Sequence, residues 1–164
     1  MEEAVLVAGV GNIFLGDDGF GPEVVRRLTG EGGLPERARL VDYGIRGMHL
    51  AYDLLDGYAA LVLVDAAPVG TAPGDVAVLR VGPDDLGGGD LDAHGMAPVA
   101  VLASLDRLGG TLPATYVVGC HPATVEEGIG LSGPVSAAVP VAMAAVRDLA
   151  RRLCAAAPAA DGRG

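Results

Sequence analysis

Short, unbroken apolar runs alternate along this chain with segments whose apolar residues recur every three or four positions. Residues 4–10 read as a buried strand, 39–43 as a second and 59–64 as a third. The third run is uninterrupted, as expected where both faces of a parallel sheet are covered. Residues 76–81 and 115–119 predict two more strands, the former suited to a sheet edge. Val24, Val25 and Leu28 give a helical face starting near Pro22 and ending near Gly30. Helical spacing also marks 48–55, with Gly57 past its end, and 98–108. A last helix passes through Met143, Val146, Leu149 and Leu153, starting near Pro140 or kinked there. Residues 82–92 and 121–133 read as loops, and 155–164 as a frayed, disordered tail.

Strands alternating with helices predict an α/β fold: a single three-layer domain over residues 1–154, with a twisted, mostly parallel sheet and helices on both faces. A chain of 164 residues can bury such a core without disulfides or a structural metal. The two cysteines, Cys120 and Cys154, make no framework. The opening Met1-Glu2-Glu3 lacks the basic region of a signal peptide, and glycines and prolines interrupt the uncharged segment 128–146. The expectation is a cytoplasmic chain with no membrane span. A net charge of −10 and an aromatic content of 4% argue against nucleic acid as a partner. No exposed heptad or apolar stripe stands out, so a monomer is expected.

Candidate chemistry begins where the first strand meets the first helix, over residues 10–21 (VGNIFLGDDGFG). Gly11 and Gly16 have the spacing of a phosphate-binding loop, but Asp17 and Asp18 stand where that loop carries Lys and Ser or Thr. Two carboxylates there repel a triphosphate. The dinucleotide fingerprint fails as well, because Phe14 occupies the place of its third glycine. A turn shaped like an anion site thus displays anions, and its natural ligand is a cation. Asp65 ends the third strand, and with a strand order of 2-1-3 it neighbours the Asp17-Asp18 turn at the carboxyl rim. His94, just before the helical stretch 98–108, can reach the same rim. Two carboxylates and an imidazole make a mixed oxygen and nitrogen site for a borderline divalent ion such as Ni²⁺ or Zn²⁺.

Each residue also has an ordinary structural role available. Asp17 or Asp18 can cap the following helix, Asp65 can cap a turn, and His94 can lie at the surface. Adjacent side chains diverge, so at most one of Asp17 and Asp18 faces the rim, and spacing alone does not say which. Cys120-His121 is the right pair of residue types for a nucleophile and base, but nothing marks Cys120 as a thiolate. No Gly-x-Ser-x-Gly elbow occurs. Gly44, Ile45, Arg46 and Gly47 form a strand-to-helix turn that is either plain turn geometry or a lip that a peptide approaches closely.

In these blocks the chain resembles the hydrogenase maturation endopeptidases, which trim the C-terminal extension of the [NiFe]-hydrogenase large subunit. The resemblance rests on residues 9–12 and 16–21, on Leu63-Val64-Asp65-Ala66, on His94, on residues 42–47, and on 119–123 with 126–132. It implies Asp18, Asp65 and His94 as both metal ligands and catalytic residues, and thereby selects Asp18 over Asp17. It implies Gly44, Ile45, Arg46 and Gly47 as a substrate-recognition segment. The implied partner is the large-subunit precursor, and the implied metal is nickel carried in by that substrate, with no organic cofactor. Cleavage by a metal-polarised carbonyl and cleavage by a carboxylate pair both remain open. Two alternatives use the same residues: a non-enzymatic, metal-sensing chaperone, and a general metallopeptidase with its own ion.

Overall fold

The computed structural model describes residues 4–82 and 105–157. The strands are β1 (Val5–Val10), β2 (Ala38–Gly44), β3 (Ala60–Ala66), β4 (Val76–Val81) and β5 (Ala114–Cys120). They form one sheet in the order β2-β1-β3-β5-β4. All neighbours are parallel except β4, which runs antiparallel to β5 at the edge. The expected 2-1-3 order therefore holds. Among the described residues the α-helices are α1 (Phe20–Glu31), α2 (Gly47–Leu54) and α3 (Gly133–Ala156).

Sheet alternation decides which helix covers which face. Val5, Val7, Val62 and Val64 pack with Phe20, Val24 and Leu28 of α1 and with Val139, Met143 and Val146 of α3. Leu6, Ala8, Leu61 and Leu63 point the other way, onto Leu50 and Leu54 of α2. The connection from β1 through α1 to β2 lies on one face, and that from β2 through α2 to β3 on the other. The carboxyl ends of β1 and β3 thus form the switch point at which ligands bind in such sheets.

Several boundaries differ from expectation for local reasons. A 3-10 turn, Gly16–Gly19, precedes α1, which starts at Phe20. Pro22 sits inside the first turn, where its missing N–H needs no partner. The last helix starts at Gly133, with Pro134 in its first turn and Pro140 inside it. Pro140 is tolerated because it lies on the exposed side, as does Ser136, whose carbonyl it leaves without a helical donor. Helix α3 also continues through Ala156, two residues into the stretch expected to fray. Of the helix expected over 98–108, the described part is Leu105, which is buried, and a 3-10 turn, Asp106–Leu108. The rest of that segment lies outside the described residues, as do most of the loop 82–92 and residues 158–164. Among the described residues, no helix is long and apolar enough to cross a membrane.

Candidate active site

Glycine lets the first turn of α1 lie against the strand ends. A side chain at Gly21 would collide with the carbonyl oxygens of Val10 and Val64. One at Gly11, whose φ is +143°, would collide with the Asp18 carbonyl. The Gly16–Gly19 turn is thereby pressed onto the carboxyl rim of β1 and β3, and it carries Asp17 and Asp18 there together.

The two aspartates have different surroundings. Asp17 is fully buried. Its Oδ2 accepts hydrogen bonds from the Ala123 N–H at 2.8 Å, the Thr124 N–H at 3.2 Å and the Ser132 hydroxyl at 2.8 Å. Its Oδ1 accepts from the Ser132 N–H at 2.7 Å. Burial alone would raise the carboxyl's pKa, but these donors together hold it below the usual carboxylate value. Asp17 is thus committed to fastening the 121–132 loop to the turn. Asp18 is half-buried, and its Oδ2 accepts from the Asn12 N–H at 2.7 Å.

Asp65 sits one residue from the end of β3, in register with Gly119 of β5, and is only 4% exposed. Burial pushes its pKa well above the ordinary carboxylate range, and the Asp18 charge pushes it further; a hydrogen bond from the Ala66 N–H pulls weakly the other way. None of the ion pairs among the described residues involves it. The structure therefore brings Asp18 and Asp65 into electrostatic contact, leaves Asp65 inclined to keep its proton, and separates Asp17 from them by role. His94 lies outside the described residues. Among the described residues no three ligand-type side chains cluster, so Asp18 and Asp65 are the two described candidate ligands.

The turn at residues 44–47 joins the same rim. The Gly11 N–H donates to the Gly44 carbonyl at 2.9 Å, and Gly44, at φ +56°, donates to Asp42 Oδ1 at 2.8 Å. Arg46 folds back, its guanidinium donating to the carbonyls of Tyr43 and Asp42 at 3.3 Å each. That leaves Ile45 76% exposed beside a pocket of about 380 Å³ lined also by Met48 and His49.

Cys120 is fully buried, and burial, reinforced by the Asp17 charge, lifts its thiol to about 11. His121 is turned into the connection before β4, with Nδ1 2.8 Å from the Val69 carbonyl. A cysteine nucleophile is thereby disfavoured. Sequence reasoning did not find the clamp by Asp17, because its partners are backbone groups more than a hundred residues away. Only the hydroxyl of Ser132 offered a side-chain signal.

The model of the hydrogenase maturation protease family matches residues 22–149. The chain is 32% identical to the hydrogenase expression/formation protein HupD of Rhodobacter capsulatus, over 90% of this chain and 71% of that protein. Among solved structures it is similar to the hydrogenase maturating endopeptidase HybD from E. coli, with a TM-score of 0.76, 30% identity, and coverage of 91% of this chain and 93% of that one. It is also similar to a hydrogenase 2 maturation peptidase from Thaumarchaeota archaeon SCGC_AB-539-E09, with a TM-score of 0.68, 31% identity, and coverage of 90% and 97%.

Proposed function

Because this chain belongs to the hydrogenase maturation protease family and is a peptidase of that family, we propose that it makes one cut in a [NiFe]-hydrogenase large-subunit precursor, removing the C-terminal extension once nickel is installed. In this reading Asp18, Asp65 and His94 fill open positions on the nickel that the precursor brings. The observation carrying it is the meeting of Asp18 and buried Asp65 at the switch point, with none of the ion pairs among the described residues involving Asp65. Two carboxyls held together at such cost are more useful to a cation than to the fold.

Proton bookkeeping supports the gating. Without a metal, Asp65 favours its neutral form. A divalent ion displaces that proton and gains the carboxylate as a ligand. Empty precursor offers no such exchange. A hundredfold preference for loaded over empty precursor needs only about 2.7 kcal/mol, which is modest for metal ligation. A second reading of the chemistry uses the same proton: Asp65 donates to the scissile carbonyl oxygen while the Asp18 carboxylate takes a proton from the attacking water, as in paired-carboxylate proteases.

Gly44, Ile45, Arg46 and Gly47 are assigned to substrate recognition, supported by the exposure of Ile45 at the rim. Both cysteines are free, which suits a reducing cytoplasm. We assign a monomer as the acting form. The deciding experiment incubates the purified protein with nickel-loaded and nickel-free precursor and follows extension loss by mass. Processing of the loaded form alone is expected. Equal cutting of both removes the gating, and tight stoichiometric metal in the isolated protein favours a general metallopeptidase. An Asp65→Ala variant that binds precursor without trimming it excludes the chaperone reading.

A further inference from the structure

The loops fastened by Asp17 leave apolar side chains at the surface that the core does not use. Ile13 is 49% exposed and Ile129 78% exposed. Both line a pocket of about 320 Å³ whose walls include Gly16, Gly19, Pro22 and Leu131. Its charged margin is already engaged: Arg26 and Glu23 pair at 2.6 Å, and Asp42 accepts from the Gly44 N–H. What remains on offer is apolar surface.

This pocket is rigidly built. Leu15 and Gly128 form a parallel bridge, with the Gly16 N–H donating to the Gly128 carbonyl and the Gly128 N–H to the Phe14 carbonyl, each at 2.9 Å. The Asp17 N–H donates to the Thr124 carbonyl at 2.9 Å, and the Asp17 carboxylate holds Ser132 beyond. Both walls are thus set before anything binds, which lowers the ordering cost of capture.

We infer that the pocket between Ile13 and Ile129 is a subsite that takes an apolar side chain of the precursor's C-terminal extension, seating the segment while the scissile bond lies at Asp18 and Asp65. The inference rests on the proposed function. Two observations choose the occupant. Gly16 and Gly19 line the pocket and belong to the same short turn that carries Asp18, so the pocket lies one residue along the chain from a proposed site carboxylate. Its volume is near the lower end for ligand sites, which suits one or two side chains of an extended strand and not a packed element of a folded body.

The test measures kcat and KM for Ile13→Ser and Ile129→Ser on nickel-loaded precursor, with Val141→Ser, on the exposed side of α3, as the control. Each pocket variant is expected to raise KM about tenfold with kcat held, the effect of losing one apolar contact. All three should melt with the wild type. Serine in place of the apolar residues of the extension should raise the wild-type KM similarly and add nothing on Ile129→Ser. Independent, additive losses would assign the pocket to the folded body of the precursor and overturn the inference. Unchanged KM in the pocket variants, with the wild type cutting normally, overturns it alone. A wild type that leaves the precursor uncut removes the proposed function and the subsite with it.

Discussion

Replacing Asp17 by Ala separates the two adjacent aspartates more sharply than any other single change. The carboxylate takes four hydrogen bonds, three of them from backbone N–H groups, across more than a hundred residues of chain. Hydrogen bonds to a charged group contribute about 1.5–3 kcal/mol each. The four do not add, because Ala123 and Thr124 are exposed and water can reach their N–H groups once the carboxylate is gone. Ser132 is half-buried and recovers less. A net loss of about 3–4 kcal/mol follows, a large share of the roughly 5–15 kcal/mol by which such domains are stable. At about 2–4 °C per kcal/mol for a chain of this size, Asp17→Ala should melt about 6–16 °C below the wild type. Asp17→Asn should fare no better, since its amide N–H₂ would face N–H donors. The pH dependence gives a second reading. The folded-state pKa of Asp17 is depressed below its ordinary 3.8, so its contribution is complete above that value and is lost as pH falls through the folded value. The gap between wild type and variant should hold from neutral pH to about pH 4 and close below it. Thermal melts over pH 2.5–7.5, with proteolysis of the 121–132 loop as a local readout, decide it. A variant melting within about 2 °C of the wild type, or a gap that widens in acid, refutes the clamp.

Other changes test neighbouring parts of the argument. Asp65→Asn should lower processing of loaded precursor by about 10²–10⁴-fold, the range for a lost acid–base group. It should also melt above the wild type at neutral pH. Because the folded pKa of Asp65 is raised, the wild type loses stability as pH climbs from the unfolded value through the folded one, and the advantage of Asn vanishes in acid. Gly21→Ala forces a methyl against the Val10 and Val64 carbonyls and should cost about 3 kcal/mol or more in urea unfolding, while Gly30→Ala, in open space on the same helix, should cost nothing. Cys120, with its thiol at about 11, should resist alkylation at pH 8 in the folded protein, and Cys120→Ala should keep processing activity. Rapid labelling of Cys120, or loss of cleavage in Cys120→Ala, would reopen a role for it.

Much of this architecture was written in local pattern. Unbroken apolar runs over 4–10 and 59–64 require a sheet covered on both faces, and the alternation with helical periodicity requires mostly parallel neighbours. Those constraints act over a few residues, so one strand at a time suffices to read them. The same holds for Asp65: a charge directly after Leu61-Val62-Leu63-Val64 must emerge at the rim of a buried strand. The family resemblance already favoured Asp18 over Asp17, but tertiary structure decided that Asp17 is the one fastened, because the donors that occupy it come from Ala123, Thr124 and Ser132. It likewise decided that Pro140 could stay within a helix, since that depends on which side of α3 meets water. The proton on Asp65 also belongs to the assembled fold: burial and the nearby Asp18 charge create its preference, and neither exists in an unfolded chain. Pattern along the chain fixes what each segment can become, whereas the protonation and partners of a carboxyl are set by what comes to rest beside it.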